Sequence, residues 1–71
     1  MIYHLEFQSS LDGRDLVVVD ESRFVERILK IIHAFRKEGY DVSGSFHRTA
    51  RRFVGEYQFH SSSETVLMSI I

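Results

Sequence analysis

The sequence predicts a small α+β domain of the order ββαβββ, with one antiparallel-rich sheet and a single helix packed across one face. Three observations predict it. One stretch, Asp20 to Gly39, has helical periodicity; alternating apolar runs flank it on both sides; and Gly44 and Gly55 are spaced to lie beneath aromatic residues of a neighbouring strand. The chain has 71 residues, 44% of them hydrophobic, so residues 1–71 read as one domain with one modest core. A domain of this size buries only about 60% of its unfolded surface, which makes association with a partner or a second copy a live option.

The first strand is expected from Ile2 to Ser9, with Tyr3, Leu5 and Phe7 facing the core and His4, Glu6 and Gln8 facing away. Asp12-Gly13 then marks a hairpin, because both residues tolerate the positive φ of a tight turn. Setting that pair at the tip places Phe7 opposite Val18 and Ser9 opposite Leu16, which sends Val17 and Val19 of the return strand to the outer face.

The helix follows. At 100° per residue, Phe24, Val25, Ile28, Leu29, Ile31, Ile32 and Phe35 fall within an arc of roughly 160° that must be buried. Glu26, Lys30, His33 and Lys37 fill the opposite, solvated side. Asp20 or Ser22 caps the start, Arg36 and Lys37 suit the negative end of the dipole, and Gly39 supplies the left-handed stop.

A second hairpin is expected between Tyr40–Arg48 and Phe53–His60 around Thr49-Ala50-Arg51-Arg52. Size fixes its register. With Arg48 opposite Phe53, Phe46 faces Gly55, Gly44 faces Tyr57 and Val42 faces Phe59, so each glycine makes room for an aromatic ring. Ser45 then faces Glu56, and Asp41 faces His60. After a turn at Ser61–Glu64, Thr65 to Ile71 forms a last strand with Val66, Met68 and Ile70 on the core side. The strand orders 2-1-5-4-3 and 2-1-3-4-5 both satisfy this pattern.

Composition narrows the function classes. The chain has no cysteine, which removes disulfides, thiolate metal sites and thiol nucleophiles. Its start, MIYHLEF, runs straight into a strand pattern without a basic segment or a long apolar run, so the expectation is a cytoplasmic protein with no membrane role. A net charge of −1 confines any nucleic-acid surface to a local patch. The four histidines, His4, His33, His47 and His60, show no i,i+2 or i,i+4 spacing, and no metal, cofactor or catalytic set is expected.

Two surfaces remain as candidates. His47, Arg48, Arg51 and Arg52, with Phe46 and Phe53 beside them, form a basic hairpin tip suited to phosphates or to an acidic partner; the competing reading lays those arginines over apolar surface or pairs them with acids. Val54, Leu67 and Ile71, extended by Val17 and Val19, make an apolar patch on the outer sheet face, and the terminal VLMSII suggests an exposed edge strand. The string EGYDVSGSFHR resembles the glycine-serine-histidine stretch of small ribonuclease toxins of the double-stranded-RNA-binding fold. Phe46 separates Ser45 from His47 here and a hairpin precedes the helix, so no activity is carried over. The expected function is therefore non-catalytic binding of a macromolecular partner by an adaptor, regulator or inhibitor, a size class that includes phage-encoded inhibitors of host defence. Self-association is a second mode, and the alternative is nucleic-acid binding through the Arg48, Arg51 and Arg52 tip together with the helix bases Lys30, His33, Arg36 and Lys37.

Overall fold

The computed structural model describes residues 1–71. Its elements are β1 (Ile2–Ser9), β2 (Arg14–Asp20), a single 3-10 turn (Glu21–Arg23), α1 (Phe24–Lys37), β3 (Asp41–Arg48), β4 (Phe53–His60) and β5 (Thr65–Ile70). All five strands join one antiparallel sheet in the order β2-β1-β5-β4-β3, and α1 packs across one face. β5 returns between the two hairpins. It is the central strand, which corrects the expectation that VLMSII forms an exposed edge: both rows of its backbone groups are taken by β1 and β4.

The expected Asp20 cap serves the 3-10 turn, while α1 itself starts at Phe24 after Arg23, which makes no side-chain cap bond. Asp20 accepts the Ser22 N–H at 3.0 Å, and one 3-10 turn carries the chain into α1. Gly39 has φ +91° just beyond the last turn, where the chain reverses toward β3. The buried stripe is narrower than expected. Phe24 and Ile28 are fully buried and Ile31, Ile32 and Phe35 are half-buried, whereas Val25 and Leu29 are 45% and 58% exposed. A helix lying on a single sheet touches it along a line, so the margin of a wide apolar arc stays wet.

The β3–β4 hairpin has the register expected from side-chain size, with Phe46 opposite Gly55, Gly44 opposite Tyr57 and Asp41 opposite His60. The backbones come close at both glycines. A Cβ built on Gly44 would lie 2.3 Å from the Glu56 carbonyl oxygen, and one on Gly55 would lie 2.3 Å from that of Ser45. Both also hold positive φ, +118° and +149°, which side-chain-bearing residues rarely adopt.

The β1–β2 hairpin corrects the sequence reading. Phe7 faces Asp15 rather than Val18, a slip of three residues. The reason lies in the turn: no residue other than glycine has positive φ, so Asp12 cannot sit in the two-residue turn assumed for it. Ser10–Gly13 instead form a four-residue loop in which only Gly13, at φ +87°, is left-handed. An odd slip exchanges the faces of a strand. Val17 and Val19 therefore point to the helix side, Val19 in the core at 3% exposure, while Leu16 and Val18 point outward.

The core consists of Tyr3, Leu5, Val19, Phe24, Ile28, Tyr57, Phe59, Val66 and Met68. Ile28→Ala removes a fully buried side chain from it and is expected to cost about 2–5 kcal/mol in a denaturant titration. Gly55→Ala combines strained φ with backbone overlap and is expected to cost on the order of 3 kcal/mol or more, measured the same way.

Candidate functional site

The face of the sheet away from α1 carries the largest exposed apolar feature of the strands. Ile2 is 52%, Leu16 55%, Val18 59% and Ile71 52% exposed. Register brings them together at one end of the sheet. Val18 faces His4 across the β1–β2 ladder, His4 exchanges backbone hydrogen bonds with Ile71 at 2.8 and 3.1 Å, and the β4–β5 register continued past Ile70 leads from Ile71 to Val54, whose other neighbour is His47. Leu67 sits further along β5 between Gln8 and Gln58. Of the patch residues expected from sequence, Val54 and Leu67 are half-buried on this face and Ile71 is exposed on it. Val17 and Val19 are not part of it, and Ile2, Leu16 and Val18 take their place.

The arginine tip is ordered from within. The Thr49 hydroxyl accepts the N–H groups of Arg51 and Arg52 and donates to the Arg52 carbonyl, which closes the turn between β3 and β4. Arg48 places Nη1 3.1 Å from the Glu21 carboxylate and its guanidinium 5.1 Å from the Phe53 ring centre. Arg52 lies 5.1 Å above the Tyr3 ring and donates to the Phe53 carbonyl. Only Arg51 and His47 of the four residues stand clear of such contacts and exposed. Two arginines therefore serve as lids over the aromatic end of the core, with cation–π attraction adding to coverage.

Two carboxylates escape notice in the sequence because their partners are remote along the chain. The Tyr3 hydroxyl, fully buried at the entry to β1, donates to Glu21 at 3.0 Å and accepts the Phe53 N–H at 2.9 Å. It thus ties β1, the start of the helix and β4 at one point. The Tyr3 hydrogen bond, helped by Arg48, holds the Glu21 carboxyl below its ordinary range. At the other end, Glu64 accepts from the hydroxyls of Ser9 and Tyr40, which lowers its pKa and raises that of Tyr40. An alternating strand pattern marks Tyr3 as core, but nothing in it signals where the hydroxyl goes.

The histidines do not converge. His60 faces Asp41 across the ladder as expected, yet its ring nitrogens lie 2.9 Å from Thr65 Oγ1 and 3.1 Å from Gln58 Oε1. No three His, Asp or Glu side chains gather closely enough to hold a metal ion. The three concavities are open grooves, one along the helix at Arg23, Arg27 and Ala34, another beside Gly13, Phe35 and Glu64, and a third at Phe35, Glu38 and Tyr40. No helix is long and apolar enough to cross a membrane. No protein-family model, curated protein or solved structure matches the chain.

Tyr3→Phe leaves the Phe53 N–H without its partner and is expected to destabilise the fold by about 1–3 kcal/mol, read from the shift of a urea midpoint. Glu21 and Glu64 have depressed pKa values in the folded state, so their contribution is complete above the ordinary glutamate value of about 4.3 and is lost as pH falls through the lower folded values. Stability measured against pH is expected to drop in that acid window, and less steeply in Glu64→Gln.

Proposed function

We propose that this chain is a small non-catalytic binding protein, an adaptor, regulator or inhibitor of the cytoplasm, whose partner is another protein seated on the outer sheet face. The observation that carries this reading is the cluster of Ile2, Leu16, Val18 and Ile71, each more than half exposed, beside half-buried Val54 on a face that no other element covers. Aliphatic side chains gathered around His4 at one end of a sheet face, with Glu6 beside Leu16 and Gln8, Ser43 and Gln58 over the remainder, have the anatomy of a largely apolar interface patch with a polar rim. The carboxylates with perturbed pKa also support a binding role, since Glu21 and Glu64 are consumed in hydrogen bonds that join elements of the fold. Nucleic-acid binding has less support, because Arg48 and Arg52 are committed to Glu21 and to aromatic rings and Lys30 to Glu26, which leaves Arg51 and His47 at the tip and His33, Arg36 and Lys37 on the helix within a chain of net charge −1.

Ile71→Asp and Val54→Asp test the proposal away from the β2 rim. Each is expected to abolish capture of the protein retained by the wild-type chain from its host, with the circular dichroism spectrum preserved and stability changed little in Ile71→Asp. Capture that survives both substitutions, or a wild-type chain that retains nothing, overturns it.

A further inference from the structure

The outer rim of β2 is a strand edge whose guards are charged side chains alone, Arg14 and Asp20 at its ends and Asp15 on the helix side. It contains no lysine, the chain contains no proline, and β2 pairs with β1 over its whole length without a bulge. The direction of its backbone groups follows from the bonds around it. The Glu21 N–H donates to the Met1 carbonyl at 2.9 Å and the Ser9 N–H to the Gly13 carbonyl at 3.2 Å, whereas His4 turns both its groups to Ile71. Hydrogen-bonding direction alternates along a strand, so Asp15, Val17 and Val19 bond inward to β1. Arg14, Leu16, Val18 and Asp20 hold their N–H and C=O groups out at the open rim.

We infer that a second copy of this chain occupies that rim, with β2 pairing antiparallel to β2 about a two-fold axis through Val17. Residues with outward groups must face one another, which restricts two-fold registers near the strand centre to axes at Leu16, Val17 or Val18. The Val17 axis alone pairs all seven residues of Arg14–Asp20. It sets Leu16 against Val18 twice, where each pair exchanges both backbone hydrogen bonds, and it sets Arg14 against Asp20 at both ends. The other axes oppose Arg14 to Val18 or Asp20 to Leu16 and leave one end of the strand unpaired.

Charge favours the same register. Arg14 is 66% exposed along its side chain and reaches only Glu6, at 4.0 Å, within its own copy. Asp20 uses Oδ1 for the Ser22 N–H, which holds its pKa below the ordinary range. On the helix side Val17 meets Val17 of the second copy; Asp15 opposite Val19 is the one mismatched position. The result is a ten-stranded sheet in which the apolar patches of both copies adjoin across the axis. This goes beyond the binding role of the outer face, since Val54 and Ile71 take no part in the pairing.

Sedimentation equilibrium of the full chain is expected to return twice its 8.3 kDa mass. Val18→Pro removes a rim N–H without removing a bond to β1, and Arg14→Asp opposes two acids at each end. Each is expected to raise the dimer dissociation constant at least about tenfold, as loss of a paired hydrogen bond or ion pair does. Because the chain has no cysteine, Val17→Cys puts one thiol from each copy on the axis, where Cα atoms of a non-hydrogen-bonded pair lie about 4.5 Å apart. Mild oxidation is expected to link Val17→Cys into a covalent dimer and to leave Leu16→Cys unlinked, a readout that stands even if Val18→Pro misfolds. A wild-type chain that stays monomeric at millimolar concentration overturns the inference. So does a dimer that both rim substitutions leave intact, or oxidation that links Leu16→Cys as fast as Val17→Cys.

Discussion

The structure depends on two pairs of stacked rings that fasten the helix to the sheet at its ends. Phe24, in the first turn of α1, lies parallel to Phe53 with centroids 4.5 Å apart, and Phe35, near its last turn, lies parallel to Phe59 at 4.0 Å. Ile28 fills the space between them and is wholly shielded. Both sheet partners belong to β4, so the helix axis is held along one strand. β1 contributes Tyr3 to the first cluster, 4.7 Å from Phe24. With so short a chain, these contacts account for most of the large side chains withdrawn from water, and the remaining elements are placed by their relation to them.

Aromatic volume has to be accommodated somewhere, and β3 does so with its backbone. Phe46 sits 5.5 Å from Phe24, 5.7 Å from Phe53 and 6.4 Å from Tyr57, an assembly that is dense because Gly44 and Gly55 add no side chains beneath it. The same glycines let the two strands bend toward each other. Tyr3 completes this end by carrying its hydroxyl to Glu21 and to the Phe53 amide, so a cluster that is apolar in its body has one polar exit, fully satisfied.

The parts of the fold that were legible in the sequence were those fixed by bulk. The second hairpin could be registered because a ring needs a gap opposite it and only two glycines offered one. The helix start was legible because Asp20 has a local job, reaching an amide two residues on. The first hairpin offered no such constraint: Leu16, Val17, Val18 and Val19 are similar in volume, so neither face announced itself and the turn had to decide. The Asp12-Gly13 pair pointed to the wrong turn because a four-residue loop also ends in a left-handed glycine. The arginine tip misleads for a related reason. A run of basic residues looks the same in one dimension whether it faces solvent or, like Arg48 and Arg52, folds back over Phe53 and Tyr3.

The two margins of the sheet are unlike, and that difference governs how far the sheet can grow. β2 carries a row of branched aliphatics, Leu16 to Val19, between Arg14-Asp15 and Asp20; β3 is interrupted at Gly44, whose backbone is drawn in against Glu56 and Tyr57, and its Ser43, Ser45 and His47 bond inward to β4, so Val42, Gly44, Phe46 and Arg48 turn their backbone groups to the rim. Symmetric use of the first margin consumes it in both molecules and presents the second at each extremity. In the proposed pairing, assembly would therefore stop at two chains instead of propagating as a fibre, which would let a protein with a lightly guarded β-rim remain a discrete particle.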